Sequence, residues 1–328
     1  MTNRVDMLLQ QEFGFILHIG IPHMNYIVEN ETHLDVHTHS FPGTSCFYFW
    51  SKNHHDDLEL EQFAHHDSSG KKIYVEPGNR GQIMAYWDAV GVGYGDYYQH
   101  EMEMKNVSFP DFKSHFSKLA KEHGINEMFT KPLCVINNKS IEEHGIIDRA
   151  LNRIEREQLE LICDLFSDTH DIVYFRPEIT KHTDNGFIID DSEEIPWDDK
   201  SWIEKNYPNV ILDNFLLGKY TNLNYNELQC MVHSLSETHF SVPGGNAVLA
   251  SYFGGTNIII GLMGKTRGIW NDDSHLRRIS GAKIIGLIGE YPEKNEYDDG
   301  WKNVIQNYWE SLVDPMNSAD STTSIKEL

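Results

Sequence analysis

The sequence has no apolar run long enough to cross a membrane, and basic residues are in the minority. A membrane-spanning helix needs about 20 mostly apolar residues, and no stretch of the 328 residues approaches that length. The first residues, MTNRVDMLLQQEFG, lack the apolar centre of a signal peptide. Lysine and arginine number 27 against 50 aspartate and glutamate residues, a formal net charge of −23. We therefore expect a cytoplasmic protein without a membrane span, and no nucleic-acid partner, since proteins that coat nucleic acid are basic.

Cysteine is scarce as well, and the usual zinc-binding patterns are missing. The chain has four cysteines, none in a C-x-x-C pair: Cys46, Cys134, Cys163 and Cys230. Each lies in an apolar segment, which favours buried thiols in a reducing compartment over disulfide bonds. His37 and His39 have the spacing to share one ion, but we interpret the histidine-rich region as exposed loops and predict no metal site. The acidic run of residues 180–200 lacks the glycine turn of a calcium loop, and we interpret it as solvated.

The clearest organisation is in residues 224–257. The pattern predicts a helix over residues 224–236, a strand over residues 238–243, a turn at residues 244–246, a second helix from residue 247 and a buried strand from residue 257. This order is a βα unit of a doubly wound sheet, with its turn where such sheets bind ligands. Gly244 and Gly245 would let a phosphate approach the N-terminus of the second helix. Alternatively, the glycines only make a sharp turn.

The rest of the chain predicts two α/β domains and a tail. In residues 1–125, strands at 13–20, 46–50 and 72–75 indicate a small, irregular α/β domain, followed by a linking helix at 109–123. In residues 126–313, apolar runs at 133–136, 172–175, 210–213 and 282–288 indicate strands, with helices at 148–166 and 301–312. Such continuous runs are typical of a parallel sheet covered by helices on both faces. Residues 314–328, rich in serine and threonine, are predicted to be a disordered tail.

Three pieces of the second domain resemble a known family. Residues 226–257 (NELQCMVHSLSETHFSVPGGNAVLASYFGGTN), residues 135–139 (VINNK) and residues 172–177 (IVYFRP) are similar to the donor-binding half of GT-B glycosyltransferases of the polysaccharide-biosynthesis and viral glycan kind, and more distantly to fucosyltransferases. The match covers about residues 132–290. The His-x-Arg-Arg-Gly-Asp signature of the fucosyltransferases is absent, which argues against a GDP-fucose donor.

The resemblance implies two Rossmann-like domains that face a cleft. The C-terminal domain would hold a nucleotide-sugar donor, the co-substrate, and the N-terminal domain would form the acceptor side. Enzymes of this fold typically need no bound metal or other cofactor, because cationic side chains and helix N-termini neutralise the leaving diphosphate. The candidate donor-binding residues are Asn137, Lys139, Arg176, Glu227, Pro243, Gly244, Gly245, Asn246, His275 and Arg278.

These candidates have different expected roles. Lys139 and Arg176 follow predicted strands and could bind phosphate, or they could simply form surface ion pairs. Glu227 could accept a hydrogen bond from a ribose or sugar hydroxyl, or be an ordinary exposed helix residue. A general base for the acceptor hydroxyl is expected in the N-terminal domain, with Glu12 and His23 as candidates.

The predicted function is transfer of a sugar from a nucleotide-sugar donor to a glycan or glycoconjugate acceptor, without a metal ion. A second possibility is another transferase on the same scaffold, such as a pyruvyl transferase. A third is a catalytically silent binding or structural protein that keeps the GT-B-like fold, since fold and function are separable.

Overall fold

Two parallel sheets organise the protein. The computed structural model describes residues 3–8, 13–57, 65–66, 72–74, 107–139, 141–142, 151–176, 197–262, 279, 281–289 and 300–313. Within these residues the protein is a mixed α/β molecule with one three-stranded and one six-stranded parallel sheet. The tail predicted at residues 314–328 lies outside them, as do Glu12, His275 and Arg278.

The three-stranded sheet belongs to the amino-terminal part of the chain. Its order is β1 (Asn3–Leu8), β2 (Leu34–His39) and β3 (His54–His55). Residues 13–30, between β1 and β2, are helical, with α1 (Phe13–Phe15), a π-helix (Ile16–Gly20) and α2 (Ile21–Asn30) in direct succession. Further along, β4 (His65–His66) pairs antiparallel with β5 (Lys72–Tyr74), which confirms the strand predicted at residues 72–75.

Two strands predicted for this part are wrong. Residues 13–20 are helical, and Leu17 and Ile21, four residues apart, are completely buried on one face. Residues 46–50 overlap a short 3-10 helix, Ser45–Tyr48, rather than a strand. Both segments are short continuous apolar runs, and periodicity alone cannot separate a buried strand from a buried helical turn in such a run.

The second half of the chain forms the six-stranded sheet. β6 (Leu133–Asn137) is followed by a separate antiparallel hairpin of β7 (Ile141–Glu142) and β8 (Leu151–Asn152). The remaining strands of the sheet are β9 (Asp171–Phe175), β10 (Ile211–Leu212), β11 (Ser236–Ser241), β12 (Thr256–Leu262) and β13 (Lys283–Gly289). The predicted strands are confirmed, although β10 keeps only two residues because Asp213 already begins a helix.

The strand order of this sheet reverses once. Its order is β10-β9-β6-β11-β12-β13, with every neighbouring pair parallel. The chain starts at β6, moves outward through β9 to β10, then returns to lay β11 on the other side of β6 and continues to β13. This is the order of doubly wound nucleotide-binding sheets, and the reversal between β6 and β11 is their topological switch point.

Helices cover both faces of the sheet. They are α3 (Phe112–Glu122), α4 (Arg156–Phe166), α5 (Asp199–Asn206), α6 (Asp213–Lys219), α7 (Tyr225–Ser234), α8 (Gly245–Ser251) and α9 (Gly300–Val313). The helix predicted over residues 148–166 begins only at Arg156, because a capping box of Glu155 and Gln158 starts it there. No helix among the described residues is long and apolar enough to cross a membrane.

The alternating sides of the strands belong to two hydrophobic clusters. Ile136 and Tyr174 pack with α4 and α9 on one face. Val135 and Phe175 pack with α3, α7 and α8 on the other. The second cluster also contains Leu17, Ile21 and Phe47 of the amino-terminal part. Both halves of the chain therefore share one of the two apolar clusters, which is the core between them.

Candidate functional site

The carboxyl ends of the strands bring several predicted residues to one edge of the six-stranded sheet. At the switch point, Asn137 at the end of β6 pairs in register with Ser241 at the end of β11. Lys139 follows β6 at this edge, Pro243 and Gly244 follow β11, and Arg176 follows the neighbouring β9. Doubly wound sheets bind ligands in this crevice, outside the carboxyl ends at the reversal. We call this edge the carboxyl edge below.

Two cations near the carboxyl edge are neutralised by buried carboxylates. Arg176 Nε lies 2.7 Å from Asp199 Oδ2, and Lys200 Nζ lies 2.7 Å from Asp213 Oδ1. The Nε–H bond of the Arg176 side chain does not point at a hydrogen-bond acceptor, so the contact of Nε with Asp199 is an ion pair without a hydrogen bond. The alternative considered for Arg176 was a surface ion pair. Arg176 does form an ion pair, but its acid, Asp199, is completely buried.

The acids of these pairs also organise the backbone and a tyrosine. The Tyr174 hydroxyl donates to the Asp199 carboxylate, and Asn138 Nδ2 donates to the Tyr174 oxygen over 2.9 Å. Burial and the charge of Asp199 raise the pKa of Tyr174 well above its usual value. Asp213 accepts from the Arg176 backbone N–H over 3.0 Å, and burial raises the pKa of this carboxyl group although Lys200 opposes the shift. The charges of Arg176 and Lys200 at this end of the sheet are therefore balanced within the protein.

Lys139 differs from both of these cations. Only 6% of its surface is exposed, yet no carboxylate of the described residues pairs with it. Removing an ammonium group from water without a counter-charge is unfavourable. An anionic ligand at the switch point would supply the missing charge.

Asn137 is held inside the protein. Its Oδ1 accepts from Gln229 Nε2 over 3.2 Å, and its Nδ2 lies 2.7 Å from His233 Nε2. Because an amide nitrogen can only donate, His233 Nε2 accepts, and the ring proton on Nδ1 then donates to His239 Nδ1 over 3.2 Å. Burial lowers the pKa of His239 to about 3 and holds that of His233 well below its usual value, so both rings are neutral. These hydrogen bonds hold the Asn137 side chain, and with it the end of β6, in place.

The glycine turn is covered by the amino-terminal segment. Gly244 has φ of +115°, a conformation that favours glycine. A Cβ atom at Gly245 would lie 2.7 Å from Phe13 Cδ1 and 3.2 Å from Gly14 N. The group that closely approaches the backbone here is another segment of the chain, whereas the prediction was the approach of a phosphate. The alternative interpretation, a turn required for packing, accounts for Gly245, while Gly244 and Asn246 remain half-buried.

The remaining candidates have structural surroundings of their own. Glu227 completes a capping box of α7, since its Oε2 accepts from Asn224 N over 2.9 Å. His23 is buried within α2, with 7% of its surface exposed. Pro243 is buried as well.

Six histidines of the amino-terminal part lie on β2, β3 and β4 rather than in loops, so that interpretation was wrong for them, whereas His33 lies exposed in a turn. His37 and His39 lie on β2 and stack against His55 of β3, with ring centroids 5.2 and 4.7 Å away. His39 contacts Asp57 over 2.8 Å and Asp6 over 3.2 Å. Among the described residues, no group of three or more histidine, cysteine or acidic side chains is arranged to hold a metal ion.

Sequence reasoning missed the acids of the carboxyl edge. Asp199 falls in the run interpreted as a solvated loop, although it is completely buried and starts α5. Asp213 was taken as the end of a strand, but it is buried and starts α6. An acid that directly follows a strand or opens a helix was the available signal. Comparison of the chain with protein-family models, with curated proteins and with solved structures finds no significant match.

Proposed function

We propose that the protein is a glycosyltransferase that moves a sugar from a nucleotide-sugar donor to a glycan or glycoconjugate acceptor. The observation that carries the proposal is Lys139, a buried lysine without an acidic partner among the described residues, next to the switch point of a doubly wound parallel sheet. The sequence resemblance of residues 132–290 to donor-binding domains supports the same assignment.

The proposed chemistry needs a fixed positive charge. When the sugar leaves, negative charge develops on the departing diphosphate, and a cation already in place stabilises it most effectively in a site with little water. Lys139 would supply this charge. Arg176 would have to give up Asp199 to contribute, so we assign it to holding the end of β9.

The GT-B arrangement is part of the proposal. The three-stranded sheet would form the acceptor side, and the six-stranded sheet would hold the donor. The contact of Phe13 and Gly14 with Gly245 supports this, since it brings the amino-terminal part to the end of β11 beside the switch point. Glu12 stays a prediction for the general base, and the burial of His23 makes it the poorer candidate.

The first test is a donor screen with a matched pair of variants. A ligand that binds only the folded state raises Tm. One of UDP-, GDP-, CMP- or dTDP-sugars is expected to raise the Tm of the wild type and of Lys118→Met, whose side chain is 78% exposed. The same donor should leave the Tm of Lys139→Met unchanged. If no donor shifts the Tm of the wild type and none is hydrolysed, the proposal is wrong.

A silent binding or structural protein is the second candidate. The neutralised Arg176 and the covered Gly245 favour it, because both reduce what the carboxyl edge offers a substrate. Donor binding without hydrolysis or transfer to any glycan acceptor would support this candidate. Binding of a pyruvyl donor instead would point to the other transferase.

A further inference from the structure

Two of the four cysteines face each other across the contact between the halves of the chain. Cys46 lies in the 3-10 helix Ser45–Tyr48, and Cys230 lies on α7. Burial and the neighbouring Cys46 thiol raise the pKa of Cys230, and both side chains pack in the core shared by the two halves. Both are free thiols; Cys230 is completely buried, and Cys46 is partly exposed.

A second contact holds the two segments in register. Asn226, one helical turn before Cys230, donates from Nδ2 to the backbone oxygen of Gly43 over 2.9 Å. Residues four apart lie on the same face of a helix. The face of α7 that binds Gly43 therefore also carries Cys230, and the bond holds this face next to the segment that contains Cys46.

The other two cysteines provide an internal comparison. Cys134 on β6 and Cys163 on α4 are also close enough for the Cys163 charge to affect Cys134. Both are completely buried in the opposite cluster. Since Cys46 is partly exposed as a residue, we expect a soluble oxidant to react with the first pair rather than with the second in the folded protein.

We propose that Cys46 and Cys230 form a thiol–disulfide exchange site. The Cys46 thiolate attacks one sulfur of a small disulfide such as oxidised glutathione, which breaks its S–S bond and releases one thiolate. The Cys230 sulfur, after losing its proton, then attacks Cys46 Sγ and expels the second thiolate. The protein loses two electrons and two protons, and the oxidant becomes two thiols. Burial raises the pKa of the Cys230 thiol, so the second step is the slower one at neutral pH.

The disulfide would act on the helix behind the switch point. α7 carries Gln229, the neighbour of Cys230, and His233, and both hold Asn137 at the end of β6. Joining α7 to the 3-10 helix covalently would restrain this helix against the amino-terminal part. The inference stands whether or not the protein transfers sugars.

The experiment is native oxidation of the full chain with oxidised glutathione at pH 8, followed by alkylation in denaturant and peptide mass mapping. The wild type is expected to yield a Cys46–Cys230 linked peptide lacking two hydrogens, with Cys134 and Cys163 alkylated. A reductant should reverse the link. The oxidised protein should also melt at a higher temperature than the reduced one, because a cross-link restrains the unfolded chain.

Two variants establish the order of the steps. Cys230→Ser should accumulate glutathione on Cys46, since the resolving thiol is gone. Cys46→Ser should take up no glutathione on Cys230, which solvent does not reach. Absence of the linked peptide in the wild type overturns the proposal, as does a wild type that stops at a glutathione adduct on Cys46. A Cys134–Cys163 link formed at the same rate would also overturn it, because exposure would not be what selects the pair.

Discussion

The ends of β9 and β6 lie side by side on the same sheet, but their cationic side chains have different surroundings. At the end of β9, Arg176 and the nearby Lys200 each face a buried carboxylate, Asp199 and Asp213. At the end of β6, Lys139 is buried without one among the described residues. A charge that is balanced internally stabilises the fold, whereas a charge that is left unbalanced is available to a ligand. Under the proposed function, the two ends would separate a structural from a functional use of similar residues.

Of the changes predicted here, removal of Asp199 at the end of β9 should reduce the free energy of unfolding most. Asp199→Ala leaves Arg176 without its counter-charge and Tyr174 without its acceptor. Breaking a buried pair in this way destabilises proteins by about 3 to 5 kcal/mol. Asp198→Ala is the control, because the exposed Asp198 only caps α5 through Ser201 N, and its loss should reduce the free energy of unfolding by about 1 kcal/mol. Equal effects of the two variants on the free energy of unfolding in urea would contradict the claim that Asp199 balances a buried charge at the end of β9.

Lowering the pH should destabilise the protein, because His233 and His239 beside the end of β6 are neutral in the folded state. The pKa of His239 is about 3 in the folded protein and that of His233 is also lowered, whereas both return to about 6.5 in the unfolded chain. The contribution of the two neutral rings to the free energy of unfolding is fully present above pH 6.5. It is lost as the pH falls toward the pKa of the folded state, because only the unfolded chain takes up protons on these rings. Between pH 7 and 5 each histidine should reduce the free energy of unfolding by about 2 kcal/mol.

Substitution of His239 provides the control for this pH dependence. His239→Leu removes one of the two titrating groups, so its free energy of unfolding should fall less steeply over the same interval. Urea unfolding at pH 7, 6 and 5 measures both slopes. Parallel pH profiles of the variant and the wild type would show that His239 is not neutral in the fold.

A methyl group at Gly245 should test the packing at the end of β11. Gly245→Ala places a Cβ atom against Phe13 and Gly14, and such overpacking destabilises by about 1 to 3 kcal/mol. Gly218 on α6 is the matched helical control, since no atom lies within 4 Å of its added Cβ. Gly218→Ala should raise stability by about 0.5 to 1 kcal/mol. Thermal unfolding of both variants with no ligand present separates packing from binding.

Lys139→Met should have the smallest effect on stability, with the opposite sign to loss of Asp199. Replacing a buried charge that no described acid balances by an apolar side chain of similar length should leave the free energy of unfolding unchanged or raise it by about 1 kcal/mol. A loss of several kcal/mol on urea unfolding would mean that Lys139 has an internal partner, and the contrast between the two strand ends would disappear.

The sequence predicted the strands of the large sheet better than the ion pairs at its carboxyl edge. β6, β9 and β12 are continuous apolar runs, and their ends place Asn137, Lys139 and Arg176 together without any long-range information. The partners of the charges come from elsewhere in the chain. Asp199 and Asp213 open α5 and α6, and local pattern does not say which cation each will meet.

Contacts between distant segments account for the other differences. The glycine turn was correctly placed after β11, but its cover by Phe13 depends on the helical amino-terminal segment that was predicted as a strand. The ring stack of His37, His39 and His55 likewise depends on the pairing of β2 with β3, and β3 has only two residues, too few to show a strand pattern.

The core shared by the two halves has a practical consequence for dissecting the protein. α3 ends at Glu122, and its Phe112 and Phe116 insert between rings that include Phe47, Tyr252 and Phe253. A fragment beginning at residue 126 would leave the aromatic sides of Tyr252 and Phe253 open to water, and such patches promote aggregation. Expression of the halves as separate pieces should therefore give insoluble material, and co-expression of both should restore solubility.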